Sequence, residues 1–274
     1  MLTILLALFA CGNDANEDTA DTATAVEWPV YSNGACPTLV QGKQSFNVGE
    51  LSREFNLILP AEPEGKPLVF VWHYLGGTAD QMINYMGLES FAPENDFIAV
   101  VPRSTDSTYE WDFNDPTDAN IDFKLFDDLL SCVGSQYNVD PNRIYATGMS
   151  AGGLFTSFLT HHRSQWFAAT APFSGGTTSQ HYAVADHPLP VMVTWGGPND
   201  NYGGFDFAGP SAYLSENLRA DGHFVMECEH NLGHTLPPET TAMAWQFFLD
   251  HPKNITPEPY SSVPESFPDW CRIP

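Results

Sequence analysis

The sequence predicts an α/β fold, with a mostly parallel central sheet carrying helices on both faces. Two observations predict it. From Trp28 onward, short β-branched or apolar runs alternate with longer segments of helical period. The chain is also large and apolar enough for one sizeable core. It has 274 residues, is 43% hydrophobic, and carries 19 Phe and 7 Trp. Each Å² of apolar surface removed from water is worth about 25 cal/mol.

The chain opens on an apolar run, Leu2 to Ala10, too short to span a bilayer and placed where an export signal has its hydrophobic region. Leu8-Phe9-Ala10-Cys11 resembles a bacterial lipobox, whose Cys is acylated and becomes the new first residue. The expectation is a signal peptide over 1–10, with secretion or lipid anchoring to the cell envelope through Cys11. Residues 11–27, rich in Asp, Glu, Thr and Ala, have little to bury and read as an acidic tether. The folded catalytic domain is expected over 28–253.

Within it, strands are predicted at Arg53 to Leu59, Leu68 to Trp72, Ile98 to Val101, Arg143 to Thr147, Ala168 to Pro172, Val191 to Thr194 and His223 to Cys228. Ile121 to Tyr137 aligns Phe123, Phe126, Leu130 and Val133 on one helical face. Leu154, Phe155, Phe158 and Leu159 do the same after Ser150. Further helices are predicted from Ala212 to Ala220, with Gly222 as the stop signal, and from about Glu239 to Leu249. Residues 254–274 contain Pro257, Pro259, Pro264, Pro268 and Pro274, which forbid a regular helix and predict an extended strap. No internal repeat is visible.

The formal charge of −24 comes from only 10 Lys and Arg against 34 acids, and no basic patch stands out. Nucleic acid and anionic membranes are therefore poor partners, and membrane contact is expected only through Cys11. A monomer is expected. Beyond Cys11 the chain has Cys36, Cys132, Cys228 and Cys271, an even number in a chain bound for an oxidising compartment. Three pairings are open. Cys36 with Cys132 and Cys228 with Cys271 is the preferred one, since the second bond would fasten the Pro-rich tail. No Cys-x-x-Cys pair argues for zinc, and no metal or other cofactor is expected.

The chemistry is concentrated at Gly148-Met149-Ser150-Ala151-Gly152, a Gly-x-Ser-x-Gly pattern between a predicted strand and a predicted helix. A sharp strand-to-helix turn needs small residues flanking the serine, and it would hold the Ser150 hydroxyl out at the carboxyl end of the sheet. A serine needs a base, and in this kind of fold acid and base follow in that order. Asp200, in Trp195-Gly196-Gly197-Pro198-Asn199-Asp200, is the expected acid, with Asp206 as runner-up and Asp221 too near a helix end. His234, just before the last helix, is the expected base. His223 and His230, at the ends of a strand, read as packing or surface residues. The acyl oxyanion needs two backbone donors, expected from Ala151 and from Leu75 in His73-Tyr74-Leu75-Gly76-Gly77.

These pieces resemble the polyhydroxyalkanoate-depolymerase and feruloyl-esterase-like α/β-hydrolases, close to carbohydrate esterase family one. The resemblance spans roughly residues 53–252. It rests on the His-x-x-Gly-Gly loop at 73–77, the lead-in Val139-Asp140-Pro141-Asn142-Arg143-Ile144-Tyr145, the Gly-Met-Ser-Ala-Gly-Gly elbow, and Gly233-His234-x-x-Pro237. It implies extracellular hydrolysis of esters, of polyester or of acylated plant-wall polysaccharide, through an acyl-enzyme and without a metal. Tyr74 stands where that family has Gly, so its ring is expected to narrow the acyl pocket or stack on an aromatic acyl group. Tyr74 and Trp195, each flanking a catalytic loop, are the expected substrate contacts. A prolyl-oligopeptidase-type peptidase shares fold and triad but carries a gating domain, for which this chain has no room. A non-catalytic surface binding protein on the same fold is the other alternative.

Overall fold

The computed structural model describes residues 26–105 and 108–274. The expected export segment, Cys11 and nearly all of the expected tether lie outside the described residues.

The first two strands, β1 (Gly42–Val48) and β2 (Leu51–Ile58), form an antiparallel hairpin. Then follow β3 (Leu68–Trp72), α1 (Ala79–Met86), α2 (Leu88–Glu94), β4 (Ile98–Pro102), α3 (Ile121–Gln136), β5 (Ile144–Met149) and α4 (Ala151–His162). The second half adds β6 (Ala169–Phe173), β7 (Val191–Trp195), the two-residue strands β8 (Asn201–Tyr202) and β9 (Phe205–Asp206), α5 (Ala208–Ala220), β10 (Val225–Glu229), α6 (Thr240–Asp250) and β11 (Cys271–Arg272). Nine strands make one sheet in the order β1-β2-β4-β3-β5-β6-β7-β10-β11. From β4 to β10 neighbours are parallel, and only the two edges run antiparallel. This is the α/β-hydrolase arrangement, and the expectation of a mostly parallel sheet with helices on both faces is borne out.

Strand alternation explains the two helical layers. On β3, Leu68, Phe70 and Trp72 point into one core with Phe123, Phe126 and Phe155 of α3 and α4, while Val69 and Val71 point into the other with Met82, Trp245 and Phe248 of α1 and α6. Every residue of β3, β4, β5, β6 and β7 is buried, which is why β3 and β4 read as continuous apolar runs and the other three admit only small polar residues, Thr147, Thr170 and Thr194. From β3 the chain crosses to β4 on one side and later to β5 on the other. The switch point therefore lies between β3 and β5, paired as Trp72↔Gly148 at their carboxyl ends. A crevice opens there in sheets of this type.

Among the described residues, an ion pair is buried in the apolar interior. Arg53 of β2 meets Asp122 in the first turn of α3 at 2.7 Å, their side chains 1% and 2% exposed. The other carboxylate oxygen of Asp122 accepts the Asp112 amide at 2.8 Å. Breaking such a pair leaves a charge buried without its partner. Arg53→Met is expected to lower unfolding free energy by about 3–5 kcal/mol. It should appear as an earlier urea midpoint at unchanged slope.

The cysteines pair as Cys36–Cys132 and Cys228–Cys271. The second bond joins β10 to β11 at directly opposed positions. The Pro-rich tail does more than lie over the surface. Tyr260 and Phe267 enter the second core, Arg272 clamps the buried Glu227 at 2.6 Å, and Glu258 accepts from His251 at 2.9 Å.

Candidate active site

Two close approaches build the elbow after β5. A Cβ on Gly152 would stand 2.1 Å from the Trp72 carbonyl oxygen, and one on Gly148 would stand 2.6 Å from that of Gly152. Only glycine lets α4 start this close to the sheet. Between them Ser150 is forced to φ 57 and ψ −118, a conformation a non-glycine residue holds only when its surroundings dictate it. Its amide donates to the Phe173 carbonyl at 2.9 Å. The side chain is thereby presented at the N-terminus of α4, over the crevice between β3 and β5.

His234 and Asp200 reach this point from two loops that touch. A Cβ on Gly196 would lie 1.9 Å from the Gly233 carbonyl oxygen, and the Gly233 amide donates to the Gly196 carbonyl at 3.0 Å. The loop after β7 and the loop before α6 are thus locked together. His234 Nε2 lies 3.0 Å from Ser150 Oγ and Nδ1 lies 2.7 Å from Asp200 Oδ1. The other oxygen, Asp200 Oδ2, accepts from the Gly196 amide and from the Ser174 hydroxyl, each at 2.7 Å. Burial pushes the Asp200 carboxyl up, but the hydrogen bonds from His234, Gly196 and Ser174 outweigh it and hold the group below its ordinary value. Asp200 is therefore a carboxylate across the working pH range, and its Oδ1 fixes the proton of His234 on Nδ1. Nε2 is left as the acceptor facing Ser150.

The loop after β3 forms the facing wall. The His73 ring donates from Nδ1 to the Tyr74 carbonyl at 2.9 Å and accepts the Ser104 amide on Nε2 at 3.1 Å, while Trp111 donates to the His73 carbonyl at 2.8 Å. Glu110, buried and at φ 67, takes the Gly76 amide at 2.8 Å and the Ser104 hydroxyl. Among the described residues, neither the Leu75 nor the Ala151 amide has an acceptor, and both residues line the cavity beside Ser150. Two unpaired donors at the positive end of α4 are what an oxyanion requires.

The other acidic and basic candidates have structural duties. Asp206 accepts the Ala208 and Gly209 amides at the start of α5, and Asp221 ends that helix and accepts the Tyr182 hydroxyl. His223 is tied to Leu189, and His230 lies edge-on to Trp270. Neither contacts Ser150.

Two cavities meet at Ser150. The larger, about 440 Å³, is walled by Leu154, Phe158, Tyr109, Phe113, Phe205 and Phe207. The smaller, about 310 Å³, is walled by Tyr74, Tyr85, Met149 and His234; Leu75 and Tyr202 border both. Tyr74 is thus beside the serine, but its ring lies edge-on to Tyr85 on the His234 side and does not narrow the larger cavity. The expectation for Trp195 is corrected. As the last residue of a strand covered on both faces it points into the core with Val193 and Leu218, 4% exposed, and lines neither cavity. The aromatic walls of the site that sequence reasoning missed lie on the β8–β9 hairpin and at the start of α5. Tyr202 and Phe207 stack against the His234 ring, with centroids 5.5 and 4.3 Å away. The signal was the aromatic cluster Tyr202, Phe205 and Phe207 immediately after Asp200.

Fold and site together define an α/β-hydrolase carrying a Ser–His–Asp constellation. The chain belongs to the prolyl oligopeptidase family, whose signature matches residues 86–235. Its relatives extend the picture. NocK of Nocardia uniformis subsp. tsuyamanensis, provisionally designated an esterase, is 29% identical over 219 residues, covering 71% of this chain and 61% of NocK. Feruloyl esterase B of Neurospora crassa is 31% identical over 124 residues, covering 43% of this chain and 42% of that protein. The chain thus spans about half the length of these curated relatives. Among solved structures, that of native sOPH superposes with a TM-score of 0.72 at 19% identity, covering 87% of this chain and 96% of sOPH.

Proposed function

We propose that the protein is a serine carboxylic-ester hydrolase working through an acyl-enzyme. The observation that carries this is the continuous relay from Ser150 through His234 to Asp200, opening onto an apolar cleft. Ser150 Oγ attacks the ester carbonyl as His234 Nε2 takes its proton. The amides of Leu75 and Ala151 receive the oxyanion, and His234 returns the proton to the leaving alcohol. Water then repeats the sequence on the acyl-enzyme. Because the proton leaves from His234, the alcohol departs on the side of Tyr74 and Tyr85, and the acyl group occupies the larger cavity. Esterase relatives support the reaction class, and the two disulfides support export to an oxidising compartment, with or without lipid at Cys11. Residues 28–253 are assigned as the catalytic domain and 254–274 as a strap fastened to it.

The large apolar cavity favours a bulky uncharged acyl group over acetyl. On a panel of short and long acyl p-nitrophenyl esters, methyl ferulate, acetylated xylan and a polyhydroxybutyrate film, kcat/KM for the best bulky ester is expected to exceed that for acetate by about tenfold or more, the worth of one to two buried CH₂ groups. Preference for acetyl substrates would refute the acyl assignment. A second reading, a peptidase, is favoured by the family match. A prolyl p-nitroanilide in the same panel tests it, and cleavage faster than that of any ester would put the peptidase reading first.

A further inference from the structure

Ser174 is a fourth residue built against the triad, and nothing in the elbow motif points to it. It follows β6, is 1% exposed, and stands at φ 41, in the left-handed region that side chains enter at a cost. Both neighbours in space hold it there. Its amide donates to the Thr194 carbonyl at 2.7 Å, and Gly175 packs so tightly on α4 that a Cβ would stand 2.6 Å from the Gly153 carbonyl carbon. The strained turn has one visible product, the hydroxyl pointed at Asp200 Oδ2 at 2.7 Å.

We propose that Ser174 is a positioning residue for the reaction, holding the Asp200 carboxylate in the orientation in which Oδ1 meets His234. The proposal rests on the reading of Ser150, His234 and Asp200 as a working triad. A carboxylate fully buried in protein rotates about its own axis unless both oxygens are tied. Oδ1 is tied by His234 alone, and Oδ2 by the Gly196 amide and Ser174. Gly196 lies in the loop of Asp200 itself, whereas Ser174 directly follows the neighbouring strand β6, its amide bonded to Thr194 of β7, and refers the carboxylate to the sheet. Hydrogen bonds to a charged group carry more than those between neutral groups, so this contact is a strong one.

The effect on pH follows from the charges around Asp200. The described titratable groups that face it are His234, in contact, and His230 at the end of β10, through space. Deprived of the Ser174 donor, the Asp200 carboxyl loses one of the hydrogen bonds that hold it below its ordinary value, and it takes up a proton at higher pH than in the parent. The acid limb of kcat/KM therefore moves up in pH.

The test uses Ser174→Gly and Ser174→Ala in the full chain, assayed on p-nitrophenyl butyrate. Glycine accepts φ 41 without strain, so its variant removes the hydroxyl while sparing the fold. Expected for Ser174→Gly are a kcat lower by about tenfold or more at a KM within about twofold, an acid limb shifted upward, and a melting temperature no lower than that of the parent. A kcat within about twofold of the parent with an unmoved limb overturns the proposal. So does a loss of activity that tracks a fall in melting temperature while the limb stays in place. Ser150→Ala, measured alongside, separates the two claims. Activity retained there overturns the triad reading itself, while an inactive Ser150→Ala beside an unaffected Ser174→Gly overturns only the role given to Ser174.

Discussion

Ser150→Ala is expected to lower kcat for ester cleavage by on the order of 10⁵–10⁶ and to abolish labelling by a fluorophosphonate. The size follows from what is removed. The hydroxyl is the atom that would bond to the acyl carbon, and among the described residues it is the nucleophile in hydrogen-bond contact with His234 Nε2, at 3.0 Å. What survives is the residual effect of oxyanion donors and binding, about 10³–10⁴ over water. The fold should be indifferent to the change. Alanine meets the same φ of 57 as serine, and the bond that fixes the turn, from the residue-150 amide to Phe173, is made by backbone. Melting temperature and near-ultraviolet circular dichroism should match the parent, so an inactive variant cannot be dismissed as unfolded. Turnover near that of the parent would remove Ser150 from the mechanism.

The elements that sequence reasoning found are those whose physics is local and strong. β3 was bounded to the residue because Leu68 to Trp72 is an uninterrupted apolar run between Pro67 and His73, and α3, predicted to end at Tyr137 and ending at Gln136, because Phe123, Phe126, Leu130 and Val133 keep helical spacing over about three turns. β1 escaped because only Phe46 and Val48 face inward from a strand otherwise polar and exposed. α1 and α2 escaped for another reason. Ala79, Met82, Ile83 and Met86 do fall on one face, and Thr78 caps them by accepting the Gln81 amide at 3.2 Å. The run is cut at Gly87, which at φ 63 ends one helix and starts the next, and Pro93 sits inside the second. Two short helices joined at a glycine look like a loop to any test of period.

The site divides in the same way. Ser150, Asp200 and His234 were legible because chain order and turn chemistry constrain them. The cleft was not, since its walls come from segments far apart in sequence, and an aromatic residue reads alike whether it ends in a core or a cleft. Trp195 and Tyr202 illustrate this. They lie seven positions apart on either side of Asp200, yet the strand carries one into the core while the hairpin carries the other over His234.

Asp200→Asn should cost on the order of 10³–10⁴ in kcat with little change in KM, through a proton placed on the wrong nitrogen. The surroundings dictate the outcome. Two donors, the Gly196 amide and the Ser174 hydroxyl, point at the position of Oδ2. An asparagine there must offer its carbonyl oxygen, because its amide nitrogen would be set against the Gly196 N–H, a backbone donor that cannot turn round to accept. The NH₂ group is then turned toward His234 Nδ1, which must accept, so the imidazole proton moves to Nε2 and faces Ser150. The serine loses its base while every heavy atom stays in place. Raising the pH should restore part of the rate, as hydroxide takes over from the imidazole, whereas the parent, whose Asp200 is already ionised, should show no such rise. Proton NMR offers an independent check, since the downfield resonance of an Nδ1 proton shared with a carboxylate should vanish in the variant. An Asp200→Asn protein with parental kcat at neutral pH would mean that His234 does not need Asp200 to set its tautomer.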